Sequence, residues 1–331
     1  MTVAEHAAGV APPEPPPADP DIPRQPRARL TFGDRVFRFL ATAATSVSLV
    51  IVVLALVFLI NGARPALQHA GIINFFTTNL WNPSTGHFGV LGLLVGTIII
   101  ATIAMVIAVP LAIGMAIFIN EYAPDRVRRV LTSAIDLLAA LPSLLFGIWG
   151  FFALQDRLVP AARWISAHLS ALPVFQVHAD SALVQSSFDA GIVVALMTMP
   201  IITSVSRDVM AQCPRDQCEG ALALGGTRWG MIRDVVLPFG RSGIVGAALL
   251  GFGRALGETI AVALIIAIVF KANFDIFARG AGSIAALIAT KFGEAGSLER
   301  SALIAAGLAL FLLTLAVNLI ARRIVGRAEA R

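Results

Sequence analysis

The chain has 331 residues and a formal net charge of +5, and 57% of its residues are hydrophobic whereas only 14% are charged. Soluble globular domains carry about 25% charged residues, so this composition excludes a soluble domain and predicts an integral membrane protein. The basic excess follows from the membrane topology predicted below, and a nucleic-acid partner is not expected.

The N-terminal segment is dominated by proline. Eight prolines fall between Ala11 and Pro26, with few apolar side chains among them. Such a segment cannot bury enough apolar surface to form a packed core. The sequence therefore predicts a disordered cytoplasmic tail over 1–30 and a transmembrane domain over 31–331.

Long apolar segments follow this tail. Each has at least about 18 mostly apolar residues, which is enough for a helix to cross roughly 30 Å of hydrocarbon. None alternates between polar and apolar residues as a membrane strand does, and backbone groups in lipid need partners within their own segment. The predicted fold class is therefore an all-α integral membrane protein with six transmembrane helices. The predicted spans are 40–60, 90–119, 130–153, 188–206, 243–270 and 301–320.

The positions of Lys and Arg predict the orientation of these helices. Most basic residues lie in the N-terminal segment, in loops 120–129 and 207–242, and at the C-terminus. In a six-helix topology all of these lie on one side of the membrane. The positive-inside rule assigns that side to the cytoplasm, so we expect a multi-pass protein with both termini cytoplasmic.

Aromatic residues are concentrated between the first two spans. Phe75, Phe76, Trp81 and Phe88 all lie close to the start of the second span. Aromatic side chains favour the membrane interface. We therefore expect an anchoring belt here rather than a ligand site.

Three prolines interrupt the predicted spans. Pro110, Pro142 and Pro200 lie inside or near the ends of the second, third and fourth spans. Each removes a backbone donor and can kink its helix. Kinks are common in membrane bundles, so the prolines alone predict no function.

The cytoplasmic loop 211–240 contains the sequence EGALALGGTRWGMIRDVVLP. A helix from Glu219 would end at Gly225 or the next glycine, because glycine tolerates the left-handed conformation of a helix end. Thr227 would cap a second helix, and Pro238 would mark its exit toward the membrane. The loop is either an ordinary solvated connection or a rigid protruding element on which a soluble partner docks.

The fifth predicted span contains two ionisable residues, Arg254 and Glu258. In a continuous helix the spacing i, i+4 places both on one face, toward a bundle interior or a water-filled path. One interpretation is a salt bridge that holds two helices together. In the other, Arg254 binds a passing oxyanion with its fork of donors while Glu258 holds or releases it, which predicts a gate on a substrate pathway.

The sequence predicts neither a catalytic nor a metal site. Cys213 and Cys218 have a spacing that fits none of the common zinc patterns, and the histidines are dispersed, so we expect reduced, ordinary thiols. No G-x4-G-K-[ST] phosphate loop occurs, so any ATP that drives this chain must be bound by another subunit. We expect a transport subunit that holds no cofactor and catalyses no reaction of its own.

The loop sequence resembles the signature loop of ABC-importer permeases. In that family the loop forms a coupling helix that inserts into a groove on the ATPase subunit, so the resemblance implies the same role for the matching residues. Read as E-A-A-x3-G-x9-I-x-L-P, the sequence matches at Glu219, Ala221, Gly225, Leu237 and Pro238, and departs at Gly220 and Val235.

A wider resemblance covers about residues 30–325. The segments GRALGETIAV and GSIAALIATKFGEAG, with the loop before them, resemble the permease subunits of bacterial phosphate ABC importers, and LWNPSTGHFGVLGLLVGTIIIAT is more similar to the PstC type than to the PstA type. The resemblance implies a type I ABC-importer permease fold in the bacterial plasma membrane and phosphate import by alternating access. It also implies a PstA-type permease, a PstB-type ATPase dimer carrying ATP and Mg²⁺, and an external PstS-type phosphate-binding protein.

Two other classes of transport remain open. Arg254 would suit any oxyanion, so a permease for sulfate or molybdate is the first alternative. The second is an ATP-independent, proton-coupled anion carrier that uses Arg254 and Glu258 as its relay. A carrier has no use for a docking loop, which argues against the second alternative.

Overall fold

The computed structural model describes residues 31–176 and 183–329, so the predicted disordered tail over 1–30 lies outside the described residues. Helices dominate the described residues, and the predicted all-α membrane class is confirmed. The α-helices, in chain order, are α1 (Phe32–Ala70), α2 (Ile72–Thr77), α3 (Leu91–Ile117), α4 (Asp125–Ala140), α5 (Ser143–Trp149), α6 (Gln155–Leu169), α7 (Ser187–Met210), α8 (Arg215–Ala223), α9 (Arg228–Met231), α10 (Leu237–Leu256), α11 (Ile260–Ile265), α12 (Ile284–Lys291) and α13 (Ser297–Glu329).

Short elements of other kinds join these helices. Strands β1 (Trp81–Asn82) and β2 (His87–Phe88) form a small antiparallel hairpin. A 3₁₀ turn covers Pro173–Phe175. Single π-turns, with hydrogen bonds from i to i+5, extend or join α-helices at Phe118–Tyr122, Gly150–Leu154 and Ile232–Val236.

The chain divides into two packing units, residues 1–54 and 55–331. In the first unit the described part is the beginning of α1, which is exposed along almost its whole length. Its exposed side chains include Phe37 and Leu49. A helix that exposes apolar side chains all round is suited to lipid or to other membrane helices. The packing described below belongs to the second unit.

The main core of the second unit lies among α3, α7 and α10. Fully buried alanines such as Ala104 and Ala108 of α3 pack with Val193 of α7 and Ala247 of α10. Small side chains let membrane helices approach closely, which replaces the hydrophobic driving force that is missing in lipid. The small-residue composition of these helices therefore explains their dense packing.

The structure reproduces the predicted spans except at the third and fifth. Within residues 31–176 and 183–329, five helices are long and apolar enough to cross a bilayer. The third predicted span, 130–153, falls instead on α4 and the α5–α6 segment, which are bent by 92° where they meet. Leu141 and Pro142 are extended at this bend, because a proline disfavours helical conformation in the residue before it. Six spans result only if the bent pair counts as one.

The fifth predicted span, 243–270, is wrong in its extent. Its helix begins earlier, at Arg228, and ends at Leu256. Gly257 lowers helix propensity there, and the Thr259 hydroxyl donates to the Gly257 carbonyl at 2.9 Å, which favours a local turn over the helical ladder. After α11 the chain runs without regular helix as far as Ser283, which caps α12.

The predicted aromatic belt is also corrected. Phe75 is fully buried, Phe88 is 2% exposed and Trp81 is 9% exposed, and all three pack in a second core with residues of α12 and α13. The Trp81 ring stacks on Phe270 with centroids 5.9 Å apart, and its indole N–H donates to Glu299 at 3.3 Å. These aromatic side chains anchor the hairpin to the protein interior. The prediction failed because their tertiary partners, such as Phe270 and Glu299, are distant in sequence.

Two glycines let α3 contact the irregular segment after α11. A Cβ at Gly92 would collide with the backbone of Phe270, and one at Gly96 would collide with the backbone of Gly282. Main-chain atoms cannot move aside as the end of a flexible side chain can. The path of the irregular segment across α3 therefore depends on these glycines.

We expect Gly96→Ala to destabilise the protein by about 2 kcal/mol, since the added methyl overpacks a rigid backbone contact. At the midpoint of unfolding this corresponds to a fall of about 3 °C in melting temperature, measured on the purified protein in detergent. Gly114→Ala, on the same helix but with nothing near its added Cβ, is the control and should be neutral or stabilising. Equal melting temperatures for the two variants would contradict the contact.

Candidate functional site

Two breaks in helical structure lie together in the fold. One is the bend at Leu141 and Pro142 before α5, and the other is the turn between α10 and α11. The helices that follow the breaks pack closely, because a Cβ on Gly147 of α5 would lie only 2.9 Å from the Cα of Ala261 in α11. In membrane transporters, non-helical backbone at membrane depth is tolerated where it is buried in protein or lines a cavity, and broken helices form substrate sites in several of their folds.

An open cleft of about 400 Å³ lies at these breaks. A water molecule occupies about 30 Å³ of liquid, so the cleft can hold a small anion together with several waters. Ser143, at the first turn of α5, contributes from one break, and the turn after α10 contributes the other wall. The lining residues are Ser143, Gly253, Arg254, Gly257, Glu258, Thr259 and Ile260.

Arg254 and Glu258 both line this cleft, but they are not arranged as the sequence predicts. The helix ends at Leu256, so the two residues do not share a helical face, and Glu258 lies in the turn. No ion pair or side-chain hydrogen bond joins them within ranges 31–176 and 183–329. Arg254 is exposed and Glu258 is half-buried. The salt-bridge interpretation of this pair is therefore wrong for this conformation, and the donors of Arg254 face an open cleft.

Ser143 is a cleft residue that sequence reasoning missed. Its hydroxyl can donate and accept, which suits an oxyanion that is partly protonated. The available signal was Pro142, which marked a break in an apolar span next to a polar side chain. That signal becomes informative only when the second break, about 115 residues later in the chain, is seen beside it.

The predicted docking loop forms a rigid helical hairpin. Helix α8 ends in two hydrogen bonds typical of a Schellman cap, from Gly226 N–H to the Ala221 carbonyl at 3.2 Å and from Gly225 N–H to the Leu222 carbonyl at 3.0 Å. Gly225 has φ +84, so of the two glycines that the sequence offers as the helix end, it is the one that adopts the left-handed conformation. Ala221 and Gly225 thus shape the tip of the loop, whereas Glu219 is exposed on α8.

The second half of the loop agrees only in part with prediction. Thr227 caps α9 by accepting a hydrogen bond from Gly230 N–H at 3.1 Å, as predicted. Pro238, however, does not mark the end of a helix, because the π-turn Ile232–Val236 carries the helix directly into α10. Proline is tolerated in the first turn of the new helix, where Pro238 lies, and so it does not stop the chain.

The residues that match the loop signature therefore fall in two places. Glu219, Ala221 and Gly225 belong to α8 and its cap, whereas Leu237 and Pro238 line a groove at the start of α10. Leu224, which the sequence analysis did not select, is 91% exposed at the tip beside Gly225. A large apolar side chain at a rigid, exposed tip is typical of a residue that enters a pocket on a partner.

The two cysteines lie at the base of the same hairpin. Their sulfur atoms are 3.7 Å apart, and both are free. Burial, together with the adjacent Cys218 thiol, raises the pKa of Cys213 to about 11. Because the thiolate is the reactive form, Cys213 should be a poor nucleophile at neutral pH. The described residues contain no group of three or more His, Cys, Asp or Glu that could hold a metal ion.

We expect alkylation of Cys213 to accelerate about tenfold per pH unit up to pH ~11, since the protonated form predominates below the raised pKa. Rates of maleimide or iodoacetamide labelling, resolved by mass spectrometry of the peptide, measure this directly. In Cys218→Ala the pKa should fall, because the neighbouring thiol contributes to the increase. A rate that levels off below pH 9 in the unmodified protein would contradict the assignment.

Comparison with known proteins places this arrangement in a family. Residues 108–330 match the family described as "Binding-protein-dependent transport system inner membrane component". A protein of Mycobacterium tuberculosis named phosphate transport system permease protein PstC 2 is 42% identical, covering 89% of this chain and 92% of the relative. PstC proteins of Xylella fastidiosa and Haemophilus influenzae are 40% and 37% identical, covering 90% and 88% of this chain and 92% and 93% of theirs.

Solved structures of ABC importers share the fold. A chain of a bacterial ABC transporter involved in the import of the acidic polysaccharide alginate matches with a TM-score of 0.56 and 16% identity, over 88% of this chain and 99% of its own. A chain of the bacterial alginate transporter in complex with a pentasaccharide-bound periplasmic protein gives 0.58 and 15%, over 89% and 97%. The predicted type I ABC-importer permease fold is confirmed. The chain belongs to the family of inner membrane components of binding-protein-dependent transport systems.

Proposed function

We propose that this chain is the PstC-type permease subunit of an ATP-driven importer that moves inorganic phosphate into the cell. The observation that carries the proposal is its relation to three proteins named as phosphate transport permeases, at 37% to 42% identity over about nine-tenths of the chain. The ATP would be bound with Mg²⁺ by partner subunits.

The cleft supplies the anion contact in this proposal. Arg254 presents a fork of donors that no described side chain occupies, and a guanidinium group can bind two phosphate oxygens at once. Ser143 and Thr259 line the same space and offer hydroxyl groups. Glu258 would discourage permanent binding, because a carboxylate beside the anion weakens the site and favours release.

The hairpin of α8 and α9 supplies the coupling in this proposal. Both termini and the hairpin would lie in the cytoplasm, in agreement with the distribution of Lys and Arg. A PstB-type ATPase dimer would hold the hairpin, and a PstA-type permease would complete the pathway. A PstS-type protein would deliver phosphate from outside. ATP binding would shift the complex between two conformations, which is the population shift that alternating access requires.

A permease for another oxyanion is the second candidate. Arg254 and the hydroxyl groups of the cleft would also bind sulfate or molybdate, because their chemistry recognises oxygen atoms and negative charge. The names of the relatives favour phosphate. The ATP-independent carrier is less favoured, since it gives the hairpin no role.

Uptake of labelled phosphate into vesicles tests the proposal. The vesicles carry this chain with its partner permease and ATPase, and the binding protein is added outside together with sulfate or molybdate as competitor. We expect uptake that requires ATP and resists both competitors. Stronger competition by sulfate or molybdate would contradict phosphate as the substrate but not the ATP-driven import mechanism. Uptake without ATP would contradict the import mechanism itself.

A further inference from the structure

A second groove, distinct from the Arg254 cleft, lies where the π-turn meets α10. Its volume is about 360 Å³, and its polar side chains are Arg233 and Arg241. The remaining wall is apolar and is formed by Leu237, Pro238, Ile244 and Val245 of α10 and Ile113 of α3. We call this the basic groove. It combines two cations with an apolar floor, which is the pattern that an amphiphilic anion requires.

The π-turn brings the two arginines onto one side of the helix. A π-turn, with its hydrogen bond from i to i+5, takes more residues than the 3.6 of an α-turn, so it rotates successive side chains by less about the helix axis. Arg233 lies within the π-turn Ile232–Val236, and Arg241 lies in α10, eight residues later. In an uninterrupted α-helix the same spacing would rotate them by about 80°. Both arginines line the same groove, so their two guanidinium groups can converge on one anion.

Neither arginine is held by a strong internal partner. Within the described part of the chain, no ion pair or hydrogen bond holds the side chain of Arg241. Arg233 lies 4.0 Å from Asp234, and the two side chains are 76% and 74% exposed, so that pair is weak. Both cations are therefore available to an external anion.

The groove lies at the end of the apolar spans. The C-terminal part of α3 and the start of α10 both contribute to it, and each helix leaves its membrane-spanning run on that side. The basic loops 120–129 and 207–242 are on the same side, which the positive-inside rule assigns to the cytoplasm. In this topology the groove lies at the membrane end of its helices, where phospholipid headgroups are found. Arginines at helix ends reach toward them while their carbon chains stay on apolar surface.

We propose that the basic groove binds an anionic phospholipid of the inner leaflet, with its phosphate between Arg233 and Arg241 and an acyl chain against Ile113, Ile244 and Val245. A lipid is favoured over a protein partner because the apolar wall is formed by α3 and α10, which are both long and apolar enough to cross a bilayer. Basic pockets between membrane helices on the cytoplasmic side suit anionic headgroups. The bound lipid would thereby contact the π-turn that joins the docking hairpin to α10.

Native mass spectrometry of the full chain, purified in mild detergent, tests the proposal with phosphatidylglycerol and phosphatidylcholine of the same acyl composition. We expect the chain to retain phosphatidylglycerol at least tenfold more than phosphatidylcholine. Arg233→Gln with Arg241→Gln should reduce phosphatidylglycerol retention at least tenfold. Photoactivatable phosphatidylglycerol should label peptides that contain Ile113 or residues 232–245 in the unmodified chain and not in the double variant.

Matched variants separate a specific site from general charge and from misfolding. Arg126→Gln removes an exposed arginine of α4 that does not line the groove, and should retain the lipid as the unmodified chain does. Arg233→Lys with Arg241→Lys keeps both charges and should remain within threefold. Gel filtration identifies any variant that fails to fold, and Arg241→Gln alone then replaces the double variant.

Several results would overturn the proposal. Unchanged phosphatidylglycerol retention in a folded double glutamine variant would exclude the groove as the site, and equal loss in Arg126→Gln would show only general attraction to basic surface. Loss of the copurifying ATPase with unchanged lipid retention would assign the groove to a protein partner. The lipid readout does not depend on transport, so it can fail or succeed independently of phosphate import.

Discussion

Replacing Arg254 with alanine is expected to reduce ATP-dependent phosphate uptake by roughly 10- to 100-fold, because alanine cannot replace charge-assisted hydrogen bonds to phosphate that contribute about 1.5–3 kcal/mol. Arg254 contributes a guanidinium group to the cleft, and no side chain in the described residues accepts a hydrogen bond from it. The binding protein and ATPase should still copurify, since Arg254 is exposed and supports no internal contact of its own. Initial uptake rates and copurification on the same preparation measure both effects.

Two further substitutions distinguish the role of Arg254 as an anion ligand from general charge. Arg254→Lys keeps the charge but loses the planar fork, so an intermediate uptake rate is expected. Arg163→Ala removes an exposed arginine of α6 that is outside the cleft, and should leave uptake unchanged. Normal uptake by Arg254→Ala would show that the cleft is not on the phosphate pathway.

Replacing Leu224 with aspartate is expected to abolish copurification of the ATPase, with affinity reduced by at least about 100-fold, because a charge would replace an apolar anchor in a desolvated pocket. Leu224 is 91% exposed, so the folded permease itself should tolerate the change. The amount of ATPase bound per permease and the ATPase rate of the complex measure the effect.

Two further variants test whether the loss of ATPase binding is specific to Leu224 and the tip of the hairpin. Leu172→Asp places the same charge on an exposed leucine far along the chain from the hairpin and should not affect the ATPase. Gly225→Ala should destabilise the cap by about 1–2 kcal/mol, because its φ is in the left-handed region that a side chain disfavours. Full ATPase binding by Leu224→Asp would show that the tip is not the docking element.

The cleft and the hairpin are connected by one helical run. From the Thr227 cap the helix passes through the π-turn and α10 to Arg254 without a break. A rotation or shift of the hairpin would therefore be transmitted to the cleft by backbone rather than by side-chain contacts alone. In the proposed importer this rigid connection would link ATP binding to opening of the site.

The sequence predicted the membrane-spanning segments well where hydropathy was the deciding quantity. Spans around Ile107, Val194 and Ala309 were placed within a few residues because each needs only enough apolar residues in a row. Gly225 and Thr227 were also predicted correctly, since helix ends depend on the conformational preferences of single residues. These properties are local and can be read directly from the chain.

Other predictions failed where two distant segments decide the outcome. The spacing of Arg254 and Glu258 predicts one helical face, but the helix stops at Leu256. The segment beyond Ile265 forms backbone hydrogen bonds with residues elsewhere in the chain, which the local sequence does not reveal. Trp81 looked like an interfacial aromatic because its stacking partner, Phe270, is far away in sequence. Pro238 looked like a helix stop because the π-turn that continues the helix into α10 has no local signature.

The sequence by itself therefore determined the membrane class, the approximate spans and the capped hairpin. Only the tertiary structure decided that Ser143 joins Arg254 and Glu258 at one cleft, that the pair is open, and that Arg233 and Arg241 share a groove. The physical reason is that lipid imposes hydrophobicity and internal hydrogen bonding on each span separately. The breaks, by contrast, become stable only when backbone from two spans packs together.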